Sequence, residues 1–180
     1  FFDLTFKGRK KSLSFIIITL ISLKSFATID GANISYECTG PNTYFVTLTM
    51  IQDCNAFFPW SSFNSTLIFV SNSCGIPYNG SSINSPFELF KIGSQQEVSQ
   101  ICGLQLPLSS CNGGTTNSSY VYKFGAEIIL PDTCSNWQFT FSTNPRNTLS
   151  NIFPGASFNI SANLNSSNSA CNNSIKTEIA

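Results

Sequence analysis

Apolar and polar residues alternate with a period of two along most of the chain after residue 31. Trp137, Phe139 and Phe141 are separated by polar residues, and residues 158–164 repeat the same pattern. Alternation of this kind places successive side chains on opposite faces of a β-strand. No segment repeats apolar residues at the spacing of a helix. The sequence therefore predicts an all-β fold.

Several segments are predicted as individual strands. Residues 34–38 and 44–51 alternate on either side of Gly40-Pro41-Asn42, which predicts a hairpin. Residues 67–70 are apolar at every position, which predicts a strand buried on both faces. Shorter candidates are residues 87–92 and 97–102. Between residues 120 and 130 the alternation is interrupted at Gly125, which predicts a β-bulge.

The predicted architecture is an antiparallel β-sandwich. About eight short strands, separated by turns rich in Pro, Gly, Asn and Ser, are typical of two packed sheets with an Ig-like arrangement. A jelly roll is the alternative. The sandwich domain is predicted to span residues 28–165. Residues 166–180 are rich in Asn and Ser, which predicts either a last hairpin or a linker.

Residues 1–27 read as a secretory signal peptide with a few residues preceding it. Residues 7–11 are basic, residues 13–23 are mainly apolar, and Ser25 and Ala27 are the small residues expected before a cleavage site. A retained anchor is the alternative, but a membrane-spanning helix needs about 18 apolar residues. We expect a secreted or cell-surface protein that meets the membrane only through this signal during export.

Seven cysteines follow the predicted cleavage site. In an exported chain they predict disulfides, with one thiol left over. The favoured bridge is Cys102–Cys111, because it closes a short loop around Pro107, and Cys54–Cys74 comes next. The sequence contains no C-x-x-C pair, so no metal site is predicted. The bridging candidates are Cys38, Cys54, Cys74, Cys102, Cys111 and Cys134.

Charge and residue types argue against several classes of function. After residue 27 four cationic residues stand against eight acidic ones, so a nucleic-acid partner is not expected. Histidine is absent, which excludes Ser-His-Asp catalysis and metal sites built on imidazole. The acidic residues are isolated along the sequence, although distant loops around Asp30, Asp53 or Asp132 could still assemble a site. We predict no enzymatic activity and no cofactor.

Phe57, Phe58 and Trp60 form the most unusual loop of the chain, together with Pro59. Exposed aromatic rings can stack on sugars or contact another protein, so these three residues are candidate ligand contacts. The alternative is that the rings cover the open end of the core. The alternative function that follows from this loop is a carbohydrate-binding module.

Five segments, taken in order, resemble one family. They are residues 31–38 (GANISYEC), 42–54 (NTYFVTLTMIQDC), 110–115 (SCNGGT), 134–137 (CSNW) and 171–174 (CNNS). This order is similar to the N-terminal module of large secreted proteins of gliding bacteria, known as gliding-motility-associated or PKD-domain proteins. The resemblance implies a structural or adhesive module that contacts an extracellular protein or polysaccharide. It also implies that the chain continues into further domains.

The resemblance also bears on the leftover thiol. Members of the family carry paired cysteines before an Arg-Asn dipeptide, whereas here Thr143-Asn144-Pro145 precede Arg146. With those cysteines absent, one thiol is expected to remain free. Cys171 is the predicted free thiol because it lies in the segment with the fewest apolar residues.

Overall fold

The computed structural model describes residues 29–56, 59–79, 83–98, 101–143, 157–167 and 171–174. The predicted signal peptide lies outside these residues. Eight strands and three short 3₁₀ helices make up the described part of the chain. None of these helices has the length and apolar character needed to cross a bilayer. The strands are β1 (Gly31–Gly40), β2 (Thr43–Asp53), β3 (Ser65–Asn72), β4 (Asn84–Lys91), β5 (Gln96–Val98), β6 (Ser119–Ile129), β7 (Trp137–Thr143) and β8 (Phe158–Leu164).

The eight strands form one antiparallel sheet. Its order is β1-β2-β6-β4-β3-β7-β8, and the short β5 pairs with β6 beside this path. The consecutive strands β1–β2, β3–β4 and β7–β8 pair with each other, whereas the pairings of β2 with β6 and β3 with β7 join segments that are distant in the sequence. The predicted antiparallel all-β fold is confirmed, and the predicted hairpin over residues 34–51 is confirmed as well.

The sheet curls until its two edge strands approach each other. The Tyr36 hydroxyl of β1 donates a hydrogen bond of 2.8 Å to the backbone oxygen of Asn163 in β8. The Tyr36 ring also lies 6.0 Å from that of Phe139 in β7. The two halves of one continuous sheet therefore face each other across a single core, in an arrangement that is nearly a barrel.

The core is built from the residues that the alternation predicted to face inward. Trp137, Phe139 and Phe141 are buried, as expected, and the Trp137 indole donates to the backbone oxygen of Asp132 at 3.2 Å. Phe158 and Leu164, at the two ends of β8, are also buried. The other large, fully buried side chains are Ile29, Tyr44, Leu48, Met50, Ile68, Leu89, Tyr122, Phe124 and Ile128.

The prediction that residues 67–70 are buried on both faces is wrong. Ile68 and Val70 are completely buried, but Leu67 is 51% exposed and Phe69 is 40% exposed. The strand is central in the sheet, because β4 and β7 hydrogen-bond to its two sides. Hydrogen bonding covers the edges of a strand and not its outer face. An uninterrupted apolar run therefore marks an exposed apolar face here.

The predicted bulge at Gly125 is also wrong. The register of β2 and β6 runs without a shift from Thr43↔Ile129 to Asp53↔Ser119. The reason for the glycine lies on the outer face, where a Cβ at residue 125 would stand 2.6 Å from Cδ1 of Ile92 and 2.8 Å from Cε1 of Phe45. Gly125 therefore provides space for two apolar side chains that lie across the strand.

Three disulfides hold the sheet, and neither predicted pair, Cys102–Cys111 or Cys54–Cys74, is among them. They are Cys38–Cys171, Cys54–Cys111 and Cys74–Cys134, with Cα–Cα distances of 5.3, 4.9 and 6.1 Å. Strand register explains them. The pairing Asn72↔Trp137 brings Cys74 beside Cys134, and the hydrogen bond from the Cys54 amide to Ser118 brings the end of β2 beside the loop of Cys111. Disulfides of this kind indicate an oxidising compartment.

The free cysteine is Cys102, which is exposed, so the predicted bridge Cys102–Cys111 and the predicted free thiol at Cys171 are both wrong. Cys102 immediately precedes the 3₁₀ helix Gly103–Leu108, whereas Cys111 turns toward β2. Cys171 belongs to a short segment that pairs with the free edge of β1, where the amide of Ser174 donates to the backbone oxygen of Tyr36 at 3.0 Å. That segment is ordered by backbone contacts that its polar composition does not reveal.

Candidate functional site

The aromatic loop is the first candidate site, and the structure describes one of its three aromatic residues. Trp60 is half-buried, and its ring meets those of the core residues Phe124 and Phe141 at 6.1 and 6.2 Å. This position favours the interpretation that Trp60 covers the end of the core. Phe57 and Phe58 lie outside the described residues.

A buried polar residue positions this loop. Gln52 continues the inward face of β2 and is only 1% exposed. Its side-chain oxygen accepts a hydrogen bond of 2.9 Å from the backbone amide of Trp60. Burying an amide side chain is costly unless it is hydrogen-bonded. The alternating pattern predicts an inward residue at this position, but only the tertiary contact explains why it is polar.

Asp30 and Asp53, which are distant in sequence, come together at one end of the sheet. They line a depression of about 290 Å³ together with Val98, Asn117, Ser118 and Ser119. The Asp30 carboxylate accepts a hydrogen bond from the Ser119 hydroxyl at 3.2 Å, and the Asp53 carboxylate accepts from the Asn55 amide at 2.7 Å. Asp132 lies elsewhere. Among the described residues, no group of three or more His, Cys, Asp or Glu side chains is arranged to hold a metal ion.

The long loop between β5 and β6 is held by a buried serine. Ser109 is fully buried, and its hydroxyl donates a short hydrogen bond to the carboxylate of Glu97. The same hydroxyl oxygen accepts from the amide of Cys111 at 3.0 Å, while Asn112 bonds both Glu97 and the backbone oxygen of Leu106. A serine without access to solvent cannot attack a substrate, so this cluster is structural.

A group of apolar side chains lies on the outside of the sheet. We call it the outer apolar face, and it consists of Phe45, Leu67, Phe69, Pro86, Phe90 and Ile92. Register brings these residues near one another, because Phe69 pairs with Pro86 and Phe90 pairs with Gly125. Leu67 pairs with Glu88, which lies between Pro86 and Phe90 on β4.

The outer apolar face is accessible to a partner. Phe90 is 56% exposed and Ile92 is 41% exposed, in addition to the exposure of Leu67 and Phe69 given above. Single apolar side chains on a surface are ordinary, whereas a contiguous set marks an interaction site more often. The sequence carries a signal for this surface in the unbroken apolar run of residues 67–70, although the run by itself predicts a strand buried on both faces.

Comparison with known proteins finds no family model, no curated protein and no solved structure that matches this chain.

Proposed function

We propose that this protein is a non-catalytic structural or adhesive module on the outside of the cell, part of a larger surface protein of the kind associated with gliding motility. The observation that carries the proposal is the framework of three disulfides around one core. Such bridges are typical of exported domains, which have to persist outside the cell. A rigid frame of this kind suits a role in which the protein presents a surface to a partner.

The positions of the bridges support the resemblance on which the proposal also depends. Two bridges, Cys38–Cys171 and Cys54–Cys111, connect cysteines that all lie in the family-like segments. Cys134, in the remaining family-like segment, pairs with Cys74, which lies outside these segments. Each segment that resembles the family therefore carries a bridged cysteine, as expected if the segments belong to one covalent framework.

The exposed apolar surface supports binding by contact. The outer apolar face would bury aromatic and aliphatic side chains against a partner, which is how most protein surfaces gain affinity. Binding of this type needs no reacting group.

Surface labelling of the producing cells tests the proposal. An antibody against the folded domain should label intact cells, and deletion of the coding sequence should reduce attachment of the cells to a surface or to one another. The control is an antibody against a cytoplasmic protein, which should label only permeabilised cells. Labelling of this domain only after permeabilisation would overturn the proposal.

A further inference from the structure

Three glutamate side chains lie beside apolar residues of the outer apolar face. Phe45 lies between Glu37 of β1 and Glu127 of β6, each of which pairs with it directly across the sheet. Glu88 of β4 pairs with Leu67 in the same way. All three glutamates are exposed. Exposed carboxylates therefore lie among the apolar side chains of this surface.

One lysine also lies beside the outer apolar face. Lys123, two residues before Gly125 on β6, is exposed and lies beyond Ile92, whose amide donates to the Lys123 backbone oxygen at 2.8 Å. Counting the described residues alone, this surface holds three carboxylates and one ammonium group, so negative charge predominates there. Potentials of opposite sign attract across an interface, and like charges that are brought together cost free energy.

We propose that the outer apolar face binds a protein whose contact surface combines apolar side chains with Lys or Arg residues. The apolar part of such a partner would cover Leu67, Phe69 and Phe90, and its cationic part would face Glu88 and Glu127. This inference rests on the proposed function and names the class of partner. Aromatic and cationic anchors are the residues that carry most of the binding energy in protein interfaces.

Two other occupants fit the surface less well. A second copy of this chain would bring the same carboxylates against Glu88 and Glu127, and the chain after residue 27 has twice as many acidic as cationic residues. A sugar would need hydrogen-bonding partners beside the rings. The carboxylates beside the apolar residues could accept hydrogen bonds from a sugar, but a neutral sugar does not match their charge, so a protein with cationic residues is the better fit.

Gly125 allows two parts of the face to approach each other. Because residue 125 has no side chain, the Ile92 and Phe45 side chains come within contact distance of its backbone and bridge the space between β4 and β2. A larger residue at this position would separate the Phe45 side from the Phe90 side. We therefore expect Gly125→Val to weaken binding of the partner to the outer apolar face, although residue 125 itself would not contact the partner's apolar or cationic side chains.

Peptide binding tests the proposal with defined probes. Three labelled peptides of equal length are compared by fluorescence anisotropy against the full exported chain, with alternating leucine and lysine, leucine and glutamate, or serine and lysine. The leucine/lysine peptide should bind at least about ten-fold more tightly than the other two, because only this peptide matches both the apolar surface and the carboxylates. Its affinity should fall as salt is added, since screening weakens exposed charge pairs.

Variants on the face separate its two contributions. Phe90→Ser should weaken binding of the leucine/lysine peptide about ten-fold. Glu88→Lys should weaken the same peptide and strengthen the leucine/glutamate peptide. Matched controls lie off the face: Leu104→Ser removes an apolar side chain that is 99% exposed, and Asp132→Lys makes the same change of charge elsewhere. Both controls should bind like the unmodified protein, and circular dichroism should show that every variant is folded.

Three outcomes would overturn the proposal. Equal binding by Phe90→Ser and Leu104→Ser would show that the face is not the site. A dimer in sedimentation velocity that Phe90→Ser abolishes would assign the face to a second copy. Binding of a neutral oligosaccharide such as cellohexaose, lost in Phe90→Ser, would assign it to a glycan. If the peptides do not bind but an antibody against the domain labels intact cells, the partner proposed here is wrong and the proposed function stands. The two proposals can therefore be tested separately.

Discussion

At the scale of single residues, Trp137 shows how an inward-facing residue of the alternating pattern stabilises the fold. The side chain is completely buried, and its one polar atom is satisfied by the backbone of Asp132. Truncating a large core residue removes favourable burial and leaves a cavity. We expect Trp137→Ala to lower the free energy of unfolding by about 3–5 kcal/mol in chemical denaturation.

The control for this prediction is on the same strand. Ser142 lies on the outer face of β7 and is exposed. Ser142→Ala should change stability by less than about 0.5 kcal/mol. A loss of under about 1 kcal/mol for Trp137→Ala would contradict the placement of the indole in the core.

A second prediction at this scale concerns the thiols. Alkylation of the denatured, non-reduced protein should modify one cysteine per chain, in the peptide that contains Cys102. Cys102→Ser should remove this signal and leave the melting temperature unchanged, because the side chain is exposed. Cys171→Ser should expose a second thiol, at Cys38, and lower the melting temperature. Labelling of Cys171 in the unmodified protein would contradict the observed pairing.

At the scale of elements, the loop between β5 and β6 depends on a glycine that allows close approach. A Cβ at Gly114 would overlap the backbone carbonyl of Leu108, and the Gly114 amide donates to the backbone oxygen of Ser109 at 2.8 Å. Backbone atoms cannot move aside as a side chain can. We expect Gly114→Ala to destabilise the protein by about 1–3 kcal/mol, the usual cost of overpacking.

The matched control for this loop is Gly103. A Cβ there would meet nothing within 4 Å, so Gly103→Ala should leave the unfolding midpoint almost unchanged. Hydrogen exchange gives a second measurement, because Gly114→Ala should accelerate exchange of the Ser110 and Thr116 amides, whose hydrogen bonds close the loop. Equal midpoints for the two variants would show that the loop can rearrange around a side chain.

At the scale of the whole molecule, buried tyrosines make stability depend on alkaline pH. Burial raises the pKa of each of four hydroxyls above the ordinary value of 10.0, namely those of Tyr36, Tyr44, Tyr78 and Tyr122. The folded protein therefore holds these protons more tightly than the unfolded chain does. Their contribution is complete below the unfolded pKa of about 10 and is lost as pH rises through the folded pKa values.

We accordingly expect the melting temperature to fall when the pH rises above about 10, with tyrosinate absorbance appearing as the protein unfolds. The measurement belongs in a Cys102→Ser background, so that no free thiol can exchange with the disulfides. Tyr44→Phe removes one of the ionising groups and should make the fall less steep. A melting temperature that is flat through this range would contradict the prediction.

What the sequence determined by itself is the set of strands and their inward faces. A period of two is a property of each strand alone, so Trp137, Phe139, Phe141 and Leu164 could be placed in the core without knowing their neighbours. The hairpin around residues 40–42 could also be predicted, because a short turn between two alternating segments determines that these two strands pair with each other. The candidate site was only partly predictable. The sequence singles out the loop of Trp60, but the apolar run of residues 67–70 predicts an interior strand, whereas Leu67 and Phe69 lie on the outer apolar face.

The tertiary structure decided everything that depends on which segments meet. The spacing of cysteines along the sequence favours Cys102–Cys111. Bridges form, however, where strand register brings two Cα atoms within about 4.4–6.8 Å of each other. The spacing of cysteines does not determine the register between distant strands. In the same way, an apolar residue is in the core only if another element covers it. Leu67 is exposed because the curled sheet places its neighbour Ile68 against the core and leaves the other face of β3 to the solvent.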